Sequence, residues 1–218
     1  MEIKVLKDIL SANEQIAGRN RQLLDSRGVF AVNLMSSPGA GKTSLILETI
    51  KGLRGKTRIG VIEGDVSSSL DAEAVGKAGV PVLQINTGGG CHLDANMVSS
   101  ALSNMSLPDI ELLFIENVGN LICPAEFVLG AHKRVVISSI PEGDDKPFKY
   151  PLMFDIADAV LINKIDLLPY LKFDIESFSQ AVKGMNEKAE IFPISCVTGQ
   201  GIEPWVSWLL SQMGRREG

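Results

Sequence analysis

Cysteine is scarce in this chain of 218 residues: Cys91, Cys123 and Cys196 are all it has. So small and odd a number argues against a disulfide framework and leaves metal ligation, reactivity or plain burial for each thiol. Positive charge is in deficit too, with 21 Lys and Arg against 26 Asp and Glu, for a net charge of −5. A nucleic-acid binder needs a basic face to neutralise phosphates, so the balance argues against that class. No apolar run is long enough to span a bilayer, and the opening residues MEIKVLKDIL mix charges without the apolar block of a signal peptide. The chain is therefore expected in the cytoplasm, with neither membrane nor nucleic acid as partner. Low-complexity linkers and internal repeats are also missing. Hydrophobic residues, by contrast, make up 45 %, more than a disordered chain carries and enough for one α/β domain with a full core.

Residues 2–26 read as a helix, with Ile3, Leu6, Ile9, Leu10, Ile16, Leu23 and Leu24 close to a single stripe and Gly28 as its stop. Seven short β-branched runs follow: VFAVNLM (29–35), TRIGVIE (57–63), VPVLQI (80–85), ELLFIENV (111–118), RVVISSI (134–140), DAVLIN (158–163) and EIFPIS (190–195). Continuous apolar strands alternating with helical segments predict a mostly parallel seven-stranded sheet with helices on both faces. Binding sites in such sheets lie at the carboxyl ends of the strands. The segment 141–150, PEGDDKPFKY, is expected to be a long surface loop.

The first strand runs into Ser36-Ser37-Pro38-Gly39-Ala40-Gly41-Lys42-Thr43-Ser44 and then an apolar helix. Strand, glycine loop and helix in that order make a phosphate-binding P-loop, although Ser36 stands where the first glycine is usual. The glycines let backbone N–H groups of the loop that Pro38 opens, Gly39 to Ser44, converge on phosphate oxygens, and the helix N-terminus adds its partial charge. Proline itself supplies only shape at that point. Lys42 is expected at the β/γ-phosphates and Thr43 on Mg2+. The fold class is thus a three-layer α/β P-loop NTPase, with residues 1–28 as an N-terminal helix packed on a P-loop domain of 29–218. Asp65 in IEGD is a candidate for the Mg2+ shell, directly or through water, and Glu116 in FIENVG for Mg2+ and γ-phosphate sensing. Glu63 is expected to point away from Asp65. No arginine finger or catalytic glutamine is visible, so a slow switch-type hydrolysis is expected, with Mg2+, Lys42 and backbone N–H groups stabilising the charge.

The late strand DAVLIN ends in Asn163-Lys164-Ile165-Asp166, an N-K-x-D pattern. The carboxylate of Asp166 can accept from guanine N1–H and its exocyclic amine, donors that adenine lacks at that edge. Asn163 is expected to brace the loop and Lys164 to cover the base. Ser195, Cys196 and Val197 follow the last strand and can offer backbone N–H groups to the guanine carbonyl, with Cys196 expected to pack and not to ligate. The nucleotide is read as GTP/GDP, an ATPase with an accidental NKID being the competing reading.

In NTGGGCHLD, Cys91 and His92 stand together after a glycine run, and thiolate with imidazole suits Zn2+ or Ni2+. Two adjacent residues cannot complete a tetrahedron. Cys123, seven residues beyond Glu116, is the nearest supplier of a third donor, and a two-fold dimer could pair two such sets. A buried thiol and a chance neighbour are the plain alternative. His132 is read as a surface or capping residue.

Together, SSPGAGKT, IEGD, NTGGGCHLDA, ELLFIENVGNLICPAEFVLGAHKRVVI, PEGDDKP and NKIDLLPY resemble the HypB family of hydrogenase nickel-incorporation GTPases. The resemblance implies a cytoplasmic GTPase that forms a homodimer on GTP binding and assists nickel delivery to the [NiFe]-hydrogenase large subunit. A HypA-type nickel/zinc accessory protein is implied as partner. It implies a Ni2+ or Zn2+ site at Cys91, His92 and Cys123 near the dimer interface, and adds Asp71 as a catalytic candidate beside the γ-phosphate or attacking water, with Lys42 and Glu116. The residues before the P-loop carry neither the Cys-rich nor the His-rich tract found in some members, so only the nickel site within the GTPase domain is implied. A GTPase maturing another nickel enzyme such as urease, and a non-catalytic GTP-dependent assembly factor with a structural zinc, are the two competing readings.

Overall fold

The computed structural model describes residues 2–66 and 69–214, with side chains from residue 9 onward; Ile3 and Leu6 of the expected helical stripe fall outside the described side chains. Helix α1 (Glu2–Ser26) leads into strand β1 (Phe30–Ser36) and helix α2 (Lys42–Gly52). There follow β2 (Ile59–Asp65), α3 (Leu70–Lys77), β3 (Val82–Asn86), α4 (Ala95–Ser103) and β4 (Leu112–Glu116). The second half runs α5 (Cys123–Glu126), β5 (Lys133–Ser139), α6 (Lys146–Lys149), α7 (Pro151–Asp155), β6 (Ala159–Asn163), α8 (Ile175–Met185), β7 (Glu190–Pro193) and α9 (Ile202–Gly214). The strands form one sheet in the order β3-β2-β4-β1-β5-β6-β7. Every pairing is parallel, so all seven carboxyl ends lie along one edge.

Alternation along β1 explains the layers. Val32 and Leu34 face α2 and α9, packing with Leu45, Ile46, Trp205 and Leu209. Ala31 faces α1 and α4 with Leu24 and Val98, and Met35 faces α7 and α8 with Phe154 and Phe178. A strand covered on both sides is predominantly apolar; all seven residues of β1 are buried, and its polar members Asn33 and Ser36 are hydrogen-bonded to Asn117 and Lys42.

Helix α1 is fastened largely by amides. Asn13 donates to Val128 O at 2.8 Å and accepts from Ala95 N at 2.8 Å. Asn20 donates to Ala95 O and Leu129 O at 2.8 and 3.1 Å. His132 lies inside this seam. Its Nδ1 accepts from Ala31 N at 2.8 Å, its Nε2 meets Asp25 at 2.8 Å, and its ring stacks on Phe30. Of the two roles expected, surface or capping, the structure supports the second: its ring accepts a backbone N–H and its side chain is largely buried.

The segment 141–150 departs from the expected loop. Residues Ile140–Glu142 form a 3-10 turn with Ser139 and Glu142 as a capping box, and α6 and α7 follow directly. Pro141, Pro147 and Pro151 each stand in the first two positions of a helical turn, where a missing N–H costs nothing. Prolines that read as loop punctuation are here helix starts.

Candidate functional site

The loop between β1 and α2 is shaped for an anion. Gly41 has φ 105°, and a Cβ there would run into the side-chain amide of Asn163, so glycine is required twice over. Lys42 is almost fully buried, with Nζ 3.2 Å from Ser36 Oγ and 3.9 Å from Glu116 Oε1. Thr43 Oγ1 donates to the same Glu116 oxygen at 3.0 Å. Pro38 and Gly39 are exposed, Ala40 is buried and Ser44 is exposed on the first turn of α2. A buried lysine on a glycine-rich loop at the start of α2 is a setting that favours a bound anion, and a nucleotide phosphate chain has that form.

Below the loop the carboxylates of Glu63, Asp71 and Glu116 place oxygens within 4.8 Å of one another. Glu63 Oε2 and Glu116 Oε2 are buried and meet no hydrogen-bond partner. Buried carboxylate oxygens left unsatisfied are costly, and a hard cation taking oxygen ligands answers that lack. Burial first, then the charge of Glu116, pushes the Glu63 carboxyl up to about 10. Glu116 is also raised by burial, with Lys42 opposing the shift. At neutral pH the metal-free pair therefore retains a proton that a divalent cation would displace. The cluster contains Glu63 where the sequence pointed to Asp65. Residues 63 and 65 lie two apart on β2 and so share a face, which corrects the expectation that Glu63 turns away. Asp65 is half-buried at the end of β2, opposite Asn86.

The residues expected to recognise the base lie against the loop between β1 and α2. Lys164 adopts φ 65°, the one non-glycine residue described with positive φ. Its ammonium donates to Gly39 O at 2.7 Å, while Asn163 Nδ2 donates to Ala40 O at 2.9 Å. Asn163 Oδ1 accepts from Lys164 N at 2.8 Å and from Cys196 N at 3.4 Å. Asp166 is aimed by Ser195, whose hydroxyl donates to it at 2.6 Å. Val197 is exposed and Cys196 is packed against the core, where burial pushes its thiol up to about 11; it is no thiolate ligand at neutral pH.

The second cluster joins Cys91, His92 and Cys123 within 4.8 Å. The two sulfurs are 3.2 Å apart, and Cys91 Sγ is 3.6 Å from His92 Nδ1. Phe127 lies against the His92 ring with centroids 4.0 Å apart. Burial lowers the imidazole's proton affinity, against the pull of Asp94 and Glu126, so the ring is available as a neutral ligand. The Cys123 thiol is raised chiefly by its hydrogen bond to Cys91 and by burial. Two soft sulfurs and one imidazole suit Zn2+ or Ni2+ and leave a tetrahedral position open.

Two asparagines that sequence reading passed over join these parts. Asn117, fully buried after β4, accepts from Leu93 N at 3.0 Å and from Val118 N at 3.0 Å, and donates to Asn33 at 3.3 Å. Asn120 N donates to Ser36 O at 2.7 Å, tying the Glu116–Cys123 segment to the phosphate loop.

Residues 30–193 match the CobW/HypB/UreG nucleotide-binding domain family. The chain is 45 % identical over 212 residues to the hydrogenase maturation factor HypB of Escherichia coli K12, spanning 97 % of this chain and 72 % of that one. The crystal structure of hydrogenase maturation factor HypB from Archaeoglobus fulgidus superposes with a TM-score of 0.87 at 41 % identity, covering 93 % of this chain and 99 % of that one. The structure of HypB from Helicobacter pylori in complex with nickel gives 0.89 at 36 % identity, covering 94 % and 96 %. With this domain, this degree of likeness along almost its whole length and a P-loop set against a Cys-His-Cys cluster, the chain belongs to the HypB family of hydrogenase maturation factors.

Proposed function

We propose that this protein is a GTP-hydrolysing metallochaperone that holds Ni2+ or Zn2+ at Cys91, His92 and Cys123 and releases nickel towards [NiFe]-hydrogenase according to its nucleotide state. One observation carries the reading: Glu116, which contacts Thr43 and Lys42, is joined by one short loop to Cys123, whose sulfur lies 3.2 Å from that of Cys91. A loop that feels the γ-phosphate also carries a metal ligand, so nucleotide and metal affinities are linked, reciprocally. Lys42 and the loop N–H groups hold the phosphates, and Asp166, aimed by Ser195, selects guanine. Mg2+, held by Thr43 with Glu116 and either Glu63 or Asp65, supplies charge neutralisation at the phosphates. Asp71 stands at the same cluster, placed to orient water.

The homodimer belongs to this proposal. Leu70, Ile122, Tyr170 and Val197 are 73 %, 60 %, 81 % and 83 % exposed, and they follow β2, β4, β6 and β7 along the carboxyl edge. Two copies meeting there would cover apolar surface and bring two metal clusters together. A HypA-type nickel/zinc protein and the hydrogenase large subunit are the proposed partners. Among the described residues no helix is long and apolar enough to cross a membrane, and the proposed location is the cytoplasm.

Metal titrations with GDP and with a non-hydrolysable GTP analogue test the reading. Different affinities are expected, and equal ones rule it out. Mg2+-dependent phosphate release should be lost in Lys42→Ala; release that persists would sink the enzymatic assignment.

A further inference from the structure

The segment between Glu116 and Cys123 is anchored in a way that a simple tether would not need. Gly119 sits so close to the phosphate loop that a Cβ would lie 2.9 Å from Pro38 Cα and Pro38 N. The next residue, Asn120, donates its main-chain N–H to Ser36 O at 2.7 Å. Movement of the phosphate loop is thus passed directly to residues 119 and 120. The Asn120 side chain then reaches both ligand-bearing segments. Its Oδ1 accepts from Ile122 N at 2.8 Å, immediately before Cys123. Its Nδ2 donates to the carbonyl of Cys91 at 3.3 Å.

We propose that Asn120 is the positioning residue that transmits the state of the phosphate loop to Cys91 and Cys123 at once, a role that rests on the nucleotide-gated reading above. The chemistry explains the residue type. The position needs a donor and an acceptor on one short planar side chain, which Asn supplies, whereas Asp offers only acceptors and Ala neither. Asn117 makes the neighbouring link to Leu93 N, but it is fully buried and bonded on both sides of its amide, and acts as a fixed brace. Asn120 is half-buried and its bond to Cys91 is the longer one, so it can be made and broken without exposing a core polar group. With it intact a shift of the phosphate loop is carried into the Cys91 segment and changes the spacing of the donor set; without it the shift is absorbed within residues 119–122 and the thiol pair keeps one geometry in both nucleotide states.

The test is the ratio of metal dissociation constants in the GTP-analogue and GDP states, measured with Zn2+ and separately with Ni2+ by competition against a chromophoric chelator. Wild-type, Asn120→Ala and Asn120→Asp proteins are compared after thermal unfolding has verified that each is folded. Coupling between sites is commonly about 5- to 150-fold. The wild-type ratio should fall in that range and collapse to within about twofold of unity in both variants. Asn120→Asp keeps the acceptor for Ile122 and loses the donor to Cys91. Its added charge lies near Cys123 and alters metal affinity in its own right, so the uncharged Asn120→Ala variant carries the decision on the ratio. Nucleotide affinities with and without metal must show the same loss of coupling. If the variants weaken metal binding equally in both states and keep the wild-type ratio, Asn120 is merely structural and the proposal is overturned while the gated reading stands. A wild-type ratio of unity overturns both.

Discussion

Glu63 shows how one side chain sets the acid–base behaviour of the site. Its carboxyl stays protonated up to about 10 because it is buried against Glu116, while in the unfolded chain it ionises near 4.5. Across that window the folded protein holds a proton that the unfolded chain has lost. The stability of the metal-free protein therefore falls as pH rises from about 4.5 towards 10. Glu63→Gln removes the ionisable group and keeps the shape. We expect a flatter dependence of melting temperature on pH between about 5 and 9 in EDTA, with the largest gain over wild type at the alkaline end. An unchanged slope would place the buried proton elsewhere. Gly41 makes a complementary case, since Gly41→Ala combines a left-handed backbone with a collision at Asn163. Strain of this kind costs of order 1–3 kcal/mol. GTP affinity measured by fluorescent-nucleotide titration should drop at least about tenfold, because both the phosphate cradle and the NKID loop are displaced.

At the scale of elements, α1 is held by amides as well as by the apolar packing of Leu23 and Leu24. Asn20 is 2 % exposed and bonds two backbone carbonyls on different segments. Asn20→Ala leaves Ala95 O and Leu129 O without those donors, at a cost of about 1–3 kcal/mol, readable as a lower denaturant midpoint with the slope unchanged. Such links mark the limit of what was legible in the sequence. The seven strands and their parallel sense, though not their order in the sheet, could be read because uninterrupted β-branched runs have few other uses. The P-loop and NKID lysine, glycines and carboxylate were legible because their spacing fixes their chemistry. Asn13, Asn20, Asn117 and Asn120 were not, since an amide in a polar stretch looks the same whether it braces a neighbour or faces water. Alternation applied with the wrong parity turns Glu63 away from Asp65, and the segment 141–150, expected as a loop, is built from helical turns that Pro141 and Pro147 begin.

For the whole molecule, the parallel sheet puts the phosphate loop, the base loop and the Cys-His-Cys cluster along one edge, together with the exposed apolar side chains of Leu70, Ile122, Tyr170 and Val197. If that edge is where two copies meet, light scattering coupled to size exclusion should show a monomer without nucleotide and a dimer with a GTP analogue and Mg2+. Ile122→Asp, next to Cys123, should shift the equilibrium back towards monomer by burying a charge at the seam. A monomer under every condition would separate the metal cluster from any role at an interface.

The placement of β1 carries a further consequence for biogenesis. Its two neighbours, β4 and β5, are Leu112–Glu116 and Lys133–Ser139, so the central strand of the sheet leaves the ribosome long before either hydrogen-bonding partner has been translated. Through that interval its apolar faces and open backbone are available to other nascent chains. A fold whose centre is made first and paired late stays open to wrong association until residue 139 has emerged.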